Sequence, residues 1–256
     1  MPPEPLIELD NVDVVHENAP DDTVVSGVHW RIHAGEVWVV GGDLGSGKST
    51  LLTTAAGLAR AGAGAVRIFG REMGVATESE QVDWRQQIGM VYEGTGRLLS
   101  HLNVMQNVAL PLLYHTETDI GEAETIVCDA LDQAELMPYA HWLPGRLNAR
   151  IQQRVAFVRA MMLPKRVLIL DNVLGSLTPV AARWWLSRVQ QAQSRAIAAG
   201  NPIAVVASTG DMRGWLDVGT HFAMVRDRRF QVLNGRDEAR REGADVWMQP
   251  DRTGAS

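Results

Sequence analysis

The stretch from Val39 to Ala56 restricts what this chain can fold into more than any other. A β-type run, Val37, Trp38, Val39 and Val40, ends in a glycine-rich loop, and a run of good helix formers follows. Gly42-x-x-Gly45-x-Gly47-Lys48-Ser49 matches the pattern G-x-x-x-x-G-K-[ST], and a strand before with a helix after is the context that separates a real loop from coincidence. The glycines let the backbone wrap so that successive N–H groups face inward, where the helix N-terminus adds its positive end. Such a cradle, which includes Ser46, suits a polyphosphate. Lys48 would reach the outer phosphates, the Ser49 hydroxyl would sit on Mg²⁺, and Thr50 begins the helix. Of the 24 Lys and Arg residues only Lys48 and Lys165 are lysines, so a lysine inside the loop is there for its compact ammonium and not for charge alone.

At 256 residues and 46% hydrophobic content the chain can bury one large core, or one core with a small satellite. No apolar run approaches the ~20 residues that span a bilayer, and the acidic start, Met1 to Glu8, has no apolar signal core. A cytoplasmic location follows as an expectation, with any membrane association made through a protein partner. A net charge of −6 gives no reason to expect nucleic acid. The single cysteine, Cys128, excludes an internal disulfide framework and a cysteine metal site, and its apolar neighbours predict a buried helical position. His33, His101, His115 and His141 stand alone, without a second ligand at i+3 or i+4.

Taken in order, residues 6–15 and 24–33 read as antiparallel strands around a turn at Asn18–Asp22, and the loop strand comes after them. That order excludes most small nucleotide kinases. A loop helix over about 49–60, a turn, short strand and turn over 62–70, a short helix over 78–87 and a strand at Ile88–Glu93 follow. Residues 101–143 are helical and amphipathic, with Ile126, Ala130, Leu131 and Ala134 on the apolar stripe and Asp129, Asp132 and Glu135 on the wet face. A helix over 154–163 stops at Pro164, and Arg166–Asp171 is a fully buried strand ending in a carboxylate. A helix at about 179–199, with Trp184 and Trp185 in core and interface, ends at Gly200; a buried strand (201–208), a hairpin (221–234) and a frayed tail (243–256) complete the chain. Arg226, Arg228 and Arg229 in the hairpin predict a solvated edge that blocks strand pairing. Alternating buried strands and helices around a phosphate loop make an α/β core with a helical insertion.

With these elements in place, residues 5 to about 237 resemble the ATP-binding cassette ATPases, the nucleotide-binding subunits of ABC transporters. Besides the loop at 42–50, Leu168-Ile-Leu-Asp171 is similar to the family's second ATP motif, whose Asp holds Mg²⁺ through water. Gln153 to Ala156 with Arg159-Ala160 look like the helix after the family's signature, and Leu98 to Leu112 like the segment that meets the membrane partner. The resemblance implies an α/β P-loop NTPase of ABC type: a mixed parallel core sheet, an antiparallel β subdomain and a helical subdomain at about 95–160, in a single domain over 1–256. It also implies ATP and Mg²⁺ as ligands, an integral membrane permease, a second ABC subunit, and a place peripheral to the inner membrane.

The departures from the family pattern narrow the chemistry. Glu93 stands where the family has glutamine, and the signature Leu-Ser-Gly-Gly-Gln aligns with Leu147, Asn148, Ala149, Arg150 and Ile151. Asn172 replaces the catalytic glutamate, Gly175-Ser176-Leu177-Thr178 replaces the following loop, and Gly210 takes the place of the switch histidine. His16 is the nearest candidate for stacking on adenine. Asn172 cannot accept a proton as the glutamate would, and loss of a general base costs about 10²–10⁴-fold in rate. Glu93 could either coordinate Mg²⁺ or repel phosphate, and Arg150 could supply a charge-assisted contact across a dimer. The expectation is a chain that binds MgATP and hydrolyses it weakly or not at all. Three classes stay open: an ATP-binding transporter subunit, a non-catalytic regulatory or structural subunit, and an unrelated P-loop enzyme. Leu98 to Leu112 with Tyr114-His115-Thr116 looks like the ATPases of bacterial phospholipid transporters that work with MCE-domain proteins, and less closely like lipoprotein-release ATPases, which suggests a lipid cargo.

Overall fold

The computed structural model describes residues 3–16, 18–175 and 177–245. In chain order these form β1 (Ile7–His16), β2 (Ala19–Ile32), β3 (Val37–Gly41), α1 (Lys48–Ala55), β4 (Ala61–Ile68), β5 (Arg71–Glu72), α2 (Glu78–Gln87) and β6 (Ile88–Val91). Then come α3 (Val104–His115), α4 (Ile120–Gln133), α5 (Ala149–Ala160), β7 (Val167–Leu170), α6 (Pro179–Ala198), β8 (Ala204–Thr209), β9 (His221–Arg226), β10 (Arg229–Val232) and α7 (Arg236–Asp245). The strands make one sheet in the order β5-β4-β1-β2-β10-β9-β3-β8-β7-β6. Its β3, β8, β7 and β6 half is parallel, while β1 pairs antiparallel with both β2 and β4.

The parallel half is buried on both faces because its strands are apolar at every position. Val37 and Val39 of β3, Leu168 and Leu170 of β7, and Val205 and Ala207 of β8 enter one core with α3, α4, α5 and Trp185 of α6. The alternate residues Trp38, Val40, Val167, Ile169, Ala204 and Val206 enter a second core with α1, β1 and Trp84. This period-two division carries the continuous runs expected of a parallel strand.

Several local expectations are corrected. Residues 19–22 belong to β2 and not to a turn: His16 pairs with Ala19 and Val15 with Thr23, so Pro20, Asp21 and Asp22 bulge out, where a proline costs no ladder bond. Helix α1 stops at Ala55 and not near residue 60, because Gly57 takes a left-handed φ of 70° just beyond its end. Strand β4 begins at Ala61, earlier than expected. Gly64 within it turns to φ 80° where β1 bulges, and a Cβ there would lie 2.2 Å from the Asn11 carbonyl. Helix α5 starts five residues early, on Asn148 as its cap.

The expected long helical stretch resolves into α3 and α4 with two short 3₁₀ turns after them. The buried stripe of α4 is Ala123, Val127 and Leu131, which leaves Ile126 exposed and Cys128 half-buried. The hairpin β9–β10 lies inside the sheet, and β10 meets β2 through Arg229 and Ser26. Its arginines therefore do not guard an edge; Arg226 pairs with Glu242 and Arg228 with Asp22. Ser176 and most of the expected frayed tail lie outside the described residues.

Candidate functional site

A ligand-binding α/β sheet places its site beyond the carboxyl ends of its parallel strands. Here β3 delivers the glycine loop, β6 delivers Glu93, β7 delivers Asp171 and Asn172, and β8 delivers Gly210. A cleft of about 1160 Å³ is lined by Gly42, Gly45, Gly47, Lys48, Ser49, Thr50, Glu93, Asp171, Asn172, Gly210 and His16, among others. Of the sequence-derived candidates, Leu147, Asn148, Ala149 and Arg150 lie elsewhere. They form the start of α5, where Leu147 is buried and the other three are exposed. The Asn148 side chain caps that helix by accepting from the Ile151 N–H at 3.0 Å.

Close contact dictates the loop's glycines. A Cβ on Gly42 would lie 2.5 Å from the Val225 carbonyl oxygen and 2.7 Å from Ser46 Oγ, and its φ is 149°. One on Gly47, which caps α1 at φ 97°, would lie 2.3 Å from Val24 Cγ1. Gly42→Ala should therefore cost about 1–3 kcal/mol of stability, the usual range for a residue forced into a disfavoured backbone region. Urea unfolding checks this, and Gly45→Ala, whose Cβ meets nothing within 4 Å, should cost less.

Lys48 folds back into the loop, donating to the carbonyls of Gly42 at 2.8 Å and Asp43 at 2.6 Å and to Ser46 Oγ at 3.3 Å. Burial pulls its pKa below the ordinary lysine value, opposed by the carboxylates of Asp171, Asp43 and Glu93. Ser49 Oγ donates to Asp171 Oδ1 at 3.0 Å, so hydroxyl and carboxylate already stand together as a hard oxygen pair of the kind Mg²⁺ takes. Among the described residues no group of three or more His, Cys, Asp or Glu side chains forms a dedicated metal cluster.

Sequence reasoning missed Ser208. Fully buried at the end of β8, it donates to Asp171 Oδ1 at 2.6 Å and accepts from the Asn172 N–H at 2.9 Å, fixing both residues to the neighbouring strand. A serine at the end of an apolar run carries no motif that would have flagged it. Asn172 itself sits at φ 47°, a left-handed conformation that asparagine tolerates better than most residues. Its Nδ2 donates to Glu93 Oε1 at 2.5 Å. Gly210 faces open space on its Cβ side, so the missing histidine is not excluded by crowding. His16 ends β1 at the rim of the cleft and is exposed, 3.9 Å from Asp22.

Known proteins resemble the chain in sequence and in fold. The family model described as ABC transporter matches residues 25–175. The lipoprotein-releasing system ATP-binding protein LolD of Chromohalobacter salexigens is 32% identical over 179 residues, 69% of this chain and 75% of LolD. The cell division ATP-binding protein FtsE of Haemophilus influenzae is 32% identical over 172 residues, covering 67% of this chain and 78% of its own. The methionine import ATP-binding protein MetN of Escherichia coli is 34% identical over 180 residues, 70% of this chain but 52% of MetN. Among solved structures, the dimeric post-hydrolysis state of the ATP-binding cassette MJ0796 bound to ADP and Pi superimposes with a TM-score of 0.76. The match spans 90% of this chain and 99% of that one, at 24% identity.

Proposed function

The chain belongs to the ABC transporter family, and from that premise we propose that it is an ATP-binding subunit that holds MgATP and turns it over weakly or not at all. One observation carries the reading: an intact phosphate loop stands beside Asn172, whose amide is bonded to Glu93 where a free base would be needed. Ser46, Lys48 and the loop N–H groups would hold the phosphates, and Ser49 with Asp171 would hold Mg²⁺. The ion, when bound, neutralises phosphate charge. Asp171 is kept in place by Ser208 and is not available as a base. The altered signature leaves Ala149 and Arg150 exposed on the α5 terminus, the surface a second cassette would meet.

On the same reading the chain acts as one nucleotide-binding unit with a helical subdomain at about 95–160, peripheral to the inner membrane through a permease. No helix among the described residues is long and apolar enough to cross a membrane. The permease would meet the region around the start of α3, where Leu99, Trp142 and Leu143 are exposed and the Val104 N–H donates to the Trp142 carbonyl at 3.0 Å. Relatives named for lipoprotein release, cell division and methionine import are 32, 32 and 34% identical, so identity does not separate their cargoes. A lipid cargo rests on the 98–116 segment alone.

Lys48→Ala should weaken ATP binding about 10–100-fold, the equivalent of one charge-assisted hydrogen bond at roughly 1.5–3 kcal/mol. Titration with a fluorescent ATP analogue tests it. Equal affinity in the two proteins, or turnover at the rate of an intact cassette that vanishes with Lys48→Ala, would defeat the proposal. Failure to recover an integral membrane protein with the chain in mild detergent would count against the permease.

A further inference from the structure

Glu93 lines the cleft and bears on the Lys48 ammonium through its charge, while its hydrogen bond is made to an amide. Asp171 accepts from both Ser49 and Ser208, Asp211 is forked onto Arg213, and Asp43 lies on the loop with its carbonyl bound to Lys48. The contact Glu93 makes is with an amide, Asn172 Nδ2 on its Oε1.

The other end of that amide, Asn172 Oδ1, is buried without a hydrogen-bond donor. The bond to Glu93 therefore decides which way the amide faces. Gly175 makes room for it: a Cβ there would lie 2.6 Å from Asn172 Nδ2 and 2.8 Å from Cγ. Beside the phosphate loop a carboxylate and an amide thus face each other with their places exchanged relative to the family pattern, the carboxylate after β6 and the amide after β7.

We propose that, of the two outcomes left open above, the chain retains slow ATP hydrolysis, with Glu93 as its general base and Asn172 as the residue that positions Glu93. The inference rests on the reading of the cleft as an ATP site. With one oxygen engaged by Asn172, the other oxygen of Glu93 accepts a proton from a water as the water's oxygen bonds to the γ-phosphorus. The bond from that phosphorus to the β,γ-bridging oxygen breaks, its electron pair stays on the ADP formed, and the proton on Glu93 passes to the products. Proton acceptance and water placement fall to this one carboxylate, without a switch histidine at Gly210, which accounts for slow turnover.

The test uses the full chain with MgATP and reads ATP affinity before any rate. Glu93→Gln should bind ATP as tightly or more tightly, since a negative charge beside the phosphates is gone, while kcat falls at least about tenfold. Glu93→Ala should regain part of that rate in formate, a small carboxylate that fills the gap, and Asn172→Ala should lower kcat with KM unchanged. A Glu93→Gln rate equal to or above the parent's, no rescue by formate, or no Lys48-dependent turnover in the parent would each overturn the assignment. Absence of Lys48-dependent ATP binding is a different failure: it removes the nucleotide site itself, and is recognised from affinity alone.

Discussion

The double variant Glu93→Gln/Asn172→Glu is expected to hydrolyse ATP about 100-fold faster than the parent chain, although neither single change should accelerate it. Side by side, Asn172 Nδ2 and Glu93 Oε1 make a 2.5 Å donor–acceptor pair. Asn172→Glu alone turns that pair into two carboxylates. At 4 Å and an effective dielectric constant of 20, two like charges cost roughly 4 kcal/mol, so one group would take up a proton or swing away. Glu93→Gln alone removes the carboxylate and leaves two amides. Only the double exchange keeps one base and one complementary hydrogen bond, as the parent has, while moving the carboxylate to follow the buried, serine-anchored Asp171. The gain is the difference between a well-placed base, worth ~10²–10⁴, and the roughly tenfold credited to Glu93 where it stands, and it is held down because Ala149, Arg150 and Gly210 are still unlike the family pattern. Steady-state phosphate release from the four proteins measures the cycle. Rates that simply multiply would show that the two side chains do not act on one another, and a double variant no faster than the parent would move the limitation to the α5 terminus.

The parts of this fold that were legible in the sequence are those in which one physical cause acts alone. Strands β3, β7 and β8 are buried on both faces, so their apolar runs have no competing reading, and Gly42 and Gly47 of the phosphate loop are fixed by contacts under 3 Å. Residues 19–22 misled because proline and aspartate favour turns, yet on a bulged strand the same residues leave the pairing intact. The arginines of β9 and β10 misled for a different reason. Charge on a strand suggests an edge, and only the β10–β2 pairing, set by contacts between residues 26 and 229, puts the hairpin inside the sheet. Within the cleft, motif spacing located Lys48, Ser49 and Asp171. It carried no information on Ser208, or on Glu93 and Asn172 touching, because partners 36 and 79 residues apart are joined by strand order alone.

A buried amide shows the same limit and carries the second large effect. Asn107 on α3 has no accessible surface, and its Nδ2 donates to the carbonyls of Leu99 at 3.0 Å and Leu102 at 2.9 Å. Its Oδ1 accepts from the Leu99 N–H at 2.8 Å and from Arg159 Nη1 at 3.4 Å. Arg159 in turn donates to the carbonyls of Gly96 and Arg97, both at 3.1 Å, and burial lowers its pKa from the ordinary arginine value. The two side chains hold residues 96–102, which link Glu93 to the proposed permease-facing start of α3. Asn107→Ala leaves the Leu99 N–H and the Leu102 carbonyl without their partner, while the Leu99 carbonyl keeps the Leu102 N–H at 3.2 Å, at about 1–3 kcal/mol for each group left unsatisfied. The expected total is about 3 kcal/mol after local relaxation, a large share of the ~5–15 kcal/mol that holds a domain folded. Asn107→Leu separates the causes, because its branched side chain leaves no cavity and makes none of the hydrogen bonds. If polar satisfaction dominates, urea unfolding of the Leu variant will show nearly the same loss as the Ala variant, whereas recovery to within about 1 kcal/mol of the parent would assign the effect to the cavity instead. The same variants should recover less permease in mild detergent while still binding ATP, since the phosphate loop is carried by β3 and α1.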